Sequence, residues 1–195
     1  MRPQPHAGES HQARCPPSSH RPGNSYPSTP RRGGAGAVIR GKDGTLGGVN
    51  TSLVFDLPRV LPFVQRHSPG LHEASDMVAI GLAVDDELVA GLLFESFSGT
   101  NVWAHVAAQP GGRWLTRDFL RAGFAYPFNI CRVNRISGYV NASNRASRRF
   151  GEHLGFREEA RLKGAASDGG DVIIYAMWRK DCRFIGDKEN DVDPQ

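Results

Sequence analysis

Asn144-Arg145-Ala146-Ser147-Arg148-Arg149-Phe150-Gly151-Glu152-His153-Leu154-Gly155-Phe156 is the stretch on which the reading of this chain turns. Asn144, or Ser143 before it, stands where a helix needs a side-chain oxygen to take up one of its first unpaired N–H groups. Phe150 and Leu154 fall on one apolar side at helical spacing. Gly155 supplies the left-handed residue of a Schellman ending, and Phe156 can pack back on Phe150.

Working outward from this helix, residues 134–141 read as the strand before it. Upstream, residues 113–126 place Leu115, Phe119, Ala122 and Tyr126 at helical spacing, with Pro127 as the stop. The turn 109–112 separates that helix from a strand over 101–108. There Val102, Ala104, Val106 and Ala108 share one face, and Asn101, Trp103, His105 and Ala107 the other. Earlier still, apolar runs at 77–84 and 88–94 flank Asp85-Asp86-Glu87 as a hairpin, preceded by a strand over 52–55 and a helix over 57–67. Downstream, 157–163 and 172–178 form a hairpin around Ser167-Asp168-Gly169-Gly170. The predicted order is βα, βββ, α, β, α, ββ, an α/β (α+β) domain over residues 51–185.

The first fifty residues differ in kind. They hold seven Pro, nine Gly and five Ser, with seven basic residues against two acidic ones. Such a segment buries too little apolar surface to offset chain entropy, so it is expected to be a disordered tail. Gly33-Gly34-Ala35-Gly36 lacks the preceding strand of a phosphate loop and reads as linker. The remaining 145 residues carry 17 basic and 18 acidic side chains, so the basic pI near 9.2 belongs to the tail. A nucleic-acid partner is therefore not indicated for the globular part. Residues 186–195 read as an acidic tail. Cys15, Cys131 and Cys182 are odd in number and widely spaced, which indicates neither a disulfide framework nor a metal site and fits a reducing cytoplasm. The sequence has no run of 18 apolar residues, so no membrane span is expected.

The opening stretch, in that element order, resembles the GNAT superfamily of N-acyltransferases. The family pattern places Asn at the helix start, a small residue three positions on, an apolar residue at six and Leu-Gly-Phe at ten to twelve. Asn144, Ser147, Phe150, Leu154, Gly155 and Phe156 fill those seats. The ending over 162–177, with its Asp-Gly turn, is similar to the branch that includes ribosomal-protein N-terminal acetyltransferases. The likeness runs from about Ser52 to Phe184. It implies the GNAT fold: a mixed, mostly antiparallel sheet with a splayed parallel strand pair flanked by helices. It also implies acetyl-CoA as co-substrate, no metal, a primary amine as acceptor (a peptide N-terminus or a small-molecule amine), and direct attack within a ternary complex. A homodimer is compatible with it.

Carried over residue by residue, the resemblance assigns pyrophosphate to the loop amides of Gly111, Gly112, Arg113 and Trp114. Trp114 stands where the family has Gly or Ala. Val106 and Ala108 lie on the first splayed strand, where a backbone N–H near Val106 would hold the oxyanion. Asn144 contacts pantetheine or caps the helix, and both are open. The tyrosine that protonates the leaving sulfur in many members is Gly151 here. Ser147 is the nearest hydroxyl, either in catalysis or CoA contact or in bonding a backbone carbonyl. His105 and Glu95 are the candidates for the base that takes the amine proton, each with an ordinary structural alternative. Trp103 walls the acceptor site or packs in the core. Two rival readings accompany these expectations: a catalytically weak acyl-CoA-binding regulatory domain, and a nucleic-acid-associated protein tethered by its basic tail.

Overall fold

The computed structural model describes residues 37–40, 50–68, 70–111 and 113–185. Along the chain come β1 (Ala37–Arg40), β2 (Thr51–Phe55), α1 (Leu57–Gln65), β3 (Val78–Val84), β4 (Glu87–Glu95), β5 (Asn101–Ala108), α2 (Arg117–Ala125), β6 (Arg135–Asn141), α3 (Arg145–Leu154), β7 (Arg157–Leu162) and β8 (Val172–Trp178). These strands form one sheet in the order β1-β2-β3-β4-β5-β6-β8-β7. Neighbours pair antiparallel except β5 and β6, which run parallel. This is the mixed sheet that the resemblance implies.

Strands β3 and β4 lack polar–apolar alternation because both of their faces are covered. On one face α1 sets Val60, Leu61, Phe63 and Val64 against Val54, Ala79, Ala83, Leu93 and Ala107. On the other, Phe119, Ala122 and Phe124 of α2 and Leu154 of α3 meet Ile80, Leu82, Ala90, Phe94 and Val102. Each large apolar side chain taken fully out of water contributes about 1.5–3 kcal/mol. The α1 layer rests very close to the sheet: a Cβ on Gly91 would lie 2.7 Å from Val64 Cγ2. The hairpin between β3 and β4 turns on Asp85 and Asp86, both at positive φ (48° and 70°) as a two-residue primed turn requires.

The element order is as expected, with three corrections. First, α2 begins at Arg117 and not at 113, because Thr116 Oγ1 accepts from the Phe119 N–H at 3.2 Å and caps it there. Second, Pro127 does not stop the turns. They widen into a π-helical turn over Tyr126–Ile130, closed by Cys131 N–H to Tyr126 O at 2.9 Å; a proline in the first turn forfeits no internal bond. Third, β1 lies inside the stretch assigned to a disordered tail. Its four residues are too few to show a period, and they gain order by antiparallel pairing with β2. The rest of that stretch and residues 186–195 lie outside the described residues. Among the described residues Cys182 is a buried free thiol.

Candidate active site

Parallel pairing of β5 with β6 is brief. It holds at Asn101↔Arg135, Val102↔Ile136 and Trp103↔Ser137 and then ends. Beyond that point β5 stays bonded to β4 as far as Ala108, and β6 stays bonded to β8 as far as Asn141. The two strands therefore separate within an otherwise continuous sheet, leaving facing backbone groups without a strand partner. Such groups need hydrogen bonds from a ligand or water. Val106, 43% exposed, and Gly138 border the opening, where a Cβ on Gly138 would lie 3.5 Å from Ala104 O.

Each parallel strand is followed by a helix, so the N-termini of α2 and α3 both lie at the end where the strands separate. Helix N-termini offer unpaired N–H groups and a positive dipole end to an anion. Of the two caps that the sequence offers for α3, Asn144 serves, its Oδ1 accepting from Ser147 N–H at 3.0 Å. Gly155 takes φ 108°, and Phe156 N–H reaches Gly151 O at 2.9 Å, the Schellman bond. Phe156 packs against Phe124 of α2, and Phe150 instead meets Trp114, centroids 5.1 Å apart. Trp114 also stands edge-on to Phe119 at 6.3 Å. The tryptophan in the altered loop seat is thus a half-buried wedge between α2 and α3. Its indole packs on Phe119 and Phe150. Gly111 and Arg113 are exposed beside it, Gly111 at φ 74°, and Gly112 lies outside the described residues.

A second group of side chains occupies the opposite face, the one that α1 covers at Leu93. Glu95↔Trp103 pairing puts these two and His105 on one side. His105 Nε2 and Glu95 Oε1 are 2.7 Å apart, with His105 8% exposed. Tyr139, on the same face of β6, meets His105 edge-on at 5.4 Å and Trp103 at 6.3 Å. Burial, and then the Glu95 carboxylate, push the Tyr139 phenol above its ordinary range, so it stays protonated at neutral pH. Beneath them Ser137 donates to Asn101 Oδ1 at 2.7 Å and accepts from Arg135, which is paired with Glu159. Arg135 holds the Glu159 carboxyl below the usual carboxylate range.

The structure therefore brings together Glu95, His105 and Trp103, and it keeps Ser147 apart from them, on α3 across the sheet. Tyr139 was missed by sequence reasoning. Its signal was the two-residue period of β6, which puts Tyr139 on the face of Ser137, the partner of Trp103. Nothing fills the seat at Gly151, where a Cβ would meet no heavy atom nearer than Phe156 Cβ at 3.9 Å. Among the described residues no group of three His, Cys, Asp or Glu is placed to hold a metal, and no helix is long and apolar enough to cross a membrane.

No protein-family model matches the sequence, and no curated protein matches it. Solved structures do match. Spermidine/spermine N-acetyltransferase SpeG from Vibrio cholerae, solved with manganese ions, superposes with a TM-score of 0.55 at 13% identity, covering 66% of this chain and 92% of that one. A chimera of the Vibrio cholerae spermidine N-acetyltransferase SpeG and hSSAT gives 0.56 at 13% identity over 67% and 96%. The ribosomal-protein-S5-alanine acetyltransferase from Vibrio fischeri reaches only 0.47 at 16% identity over 65% and 72%, too low to argue for a branch. At such identities the likeness is one of fold, and this chain carries the N-acetyltransferase fold that its resemblance to the GNAT superfamily implies.

Proposed function

We propose that this chain is an acyl-CoA-dependent N-acetyltransferase that moves acetyl from acetyl-CoA to a primary amine by direct attack in a ternary complex. The observation that carries the reading is the separation of β5 from β6 between two helix N-termini on one side and the Glu95–His105 pair on the other. Pyrophosphate would sit on the amides around Gly111–Trp114 and the start of α2, with the pantetheine arm between the strands beside Asn144 and Val106. The acyl-transfer unit would span residues 51–185.

In the reaction a neutral amine attacks the thioester carbonyl. With His105 Nε2–H donating to Glu95, Nδ1 is left as the acceptor for the amine proton. A β5 amide near Val106 would hold the oxyanion. The C–S bond then breaks, and the thiolate takes a proton from solvent, directly or relayed through the Ser147 hydroxyl, while Trp103 and Tyr139 wall the acceptor.

Calorimetry with acetyl-CoA, followed by thiol release across amines and peptide N-termini, tests this. Binding with turnover is expected, and His105→Gln should lower kcat about 100-fold or more. Gly151 in the tyrosine seat favours one rival, an acyl-CoA-binding domain without turnover; binding with no thiol release for any amine would establish it. Absence of acetyl-CoA binding would overturn both.

A further inference from the structure

Arg145, Arg148 and Arg149 stand at i, i+3 and i+4 on one side of α3 and, with Glu152, line a surface cavity of about 250 Å³. Pockets for drug-sized ligands run to roughly 300–1,000 Å³, so this one suits a small group. Three cations line the cavity with one carboxylate, and that carboxylate is engaged: Glu152 Oε1 accepts from the Tyr175 hydroxyl at 3.0 Å, while Glu158, which also acts on Arg148, is paired with Arg161 at 3.1 Å. Arg148 is aimed by the protein, its Nε toward Tyr175 Oη at 3.5 Å and its Nη1 donating to Ala142 O at 3.3 Å. Among the described residues no carboxylate lies within ion-pair distance of Arg145 or Arg149.

Local electrostatics opposes this arrangement. The first turn of α3 holds no acidic residue, although cations are disfavoured at a helix N-terminus and like charges at i, i+4 repel. Packing does not ask for it either, because Arg145 and Arg149 are exposed. A local conflict without a structural gain marks a functional position. Guanidinium forks match phosphate oxygens two at a time, and a phosphate would relieve both the repulsion and the unfavourable dipole.

We propose that the cavity lined by Arg145, Arg148 and Arg149 binds a phosphate group. Its source is either the nucleotide portion of acyl-CoA or a separate phosphate compound, and the site does not depend on acyl transfer. Calorimetric titration of the full chain with inorganic pyrophosphate at low salt tests it. Arg145→Gln/Arg149→Gln should bind pyrophosphate at least tenfold more weakly, while Arg66→Gln/Lys180→Gln, which removes two exposed charges elsewhere, should bind as the parent does. The binding that Arg145→Gln/Arg149→Gln loses reads this site apart from the loop amides before α2: its displacement by acetyl-CoA assigns the site to the nucleotide, its persistence with acetyl-CoA bound assigns it to a separate ligand, and either supports the site. Equal affinity in the Arg145/Arg149 variant, equal loss in the control variant, or no binding at millimolar pyrophosphate overturns it. A chain that binds pyrophosphate here yet releases no thiol would fail the acetyltransferase reading alone.

Discussion

Gly91→Ala probes how closely α1 lies on the sheet that holds the site. The added Cβ would stand 2.7 Å from Val64 Cγ2, 3.0 Å from Val60 Cγ1 and 3.2 Å from Phe63 Cδ1. Ordinary carbon–carbon contact is about 3.5–4.0 Å, so Val64 would have to retreat by roughly an ångström. It has little room: Val60 and Val64 are both 0% exposed, and valine in a helix has one strongly preferred rotamer. Overpacking of this kind costs about 1–3 kcal/mol. Replacing a strand glycine by alanine with no clash would stabilise by roughly 0.5–1 kcal/mol, so the two accounts predict opposite signs. Urea unfolding of the full chain should show a lower midpoint at unchanged slope. Val64→Ala removes the clashing methyl, so the double variant should be less destabilised than the sum of the singles by about 1 kcal/mol or more. A neutral or stabilised Gly91→Ala, or strict additivity, would refute the packing argument.

Gly138→Ala should leave the melting temperature nearly unchanged, since its Cβ meets only Ala104 O at an ordinary 3.5 Å, yet weaken acetyl-CoA binding at least tenfold by narrowing the gap between β5 and β6. Unchanged affinity in calorimetry would remove the gap as the path of the pantetheine arm. Asn144→Asp keeps the oxygen that caps α3 and removes the amide donor. Stability should stay within about 0.5 kcal/mol while acetyl-CoA affinity falls about tenfold, and equal affinity would assign Asn144 to capping alone. Burial, and then the Asp76 carboxylate, push Tyr126 up to about 12, whereas the unfolded phenol ionises near 10. Its contribution is therefore full below pH 10 and is lost as pH rises toward 12, by about 2–3 kcal/mol. Denaturant titrations from pH 9 to 12 should show this loss shrink in Tyr126→Phe, and an identical alkaline limb would place it elsewhere.

The sequence by itself determined α3 and its ends, because a capping oxygen at Asn144, an apolar side at Phe150 and Leu154 and a left-handed glycine at 155 act within one helix and need no distant partner. The hairpin at Asp85-Asp86 was legible for the same reason. Helix α2 was legible in existence but not in its start, since both 113 and 117 satisfy the apolar spacing and the Thr116 cap bond decides between them. Tertiary structure alone decided the site. Glu95 and His105 are ten residues apart and become partners only through the β4–β5 register, and Tyr139 joins them only because β6 runs parallel to β5. Trp114 became a wedge because Phe119 of α2 and Phe150 of α3 are brought against it on one sheet face, which no local signal encodes. Short-range caps and turns are written in consecutive residues; the pairing of strands far apart in the chain is set by which arrangement buries both sheet faces at once.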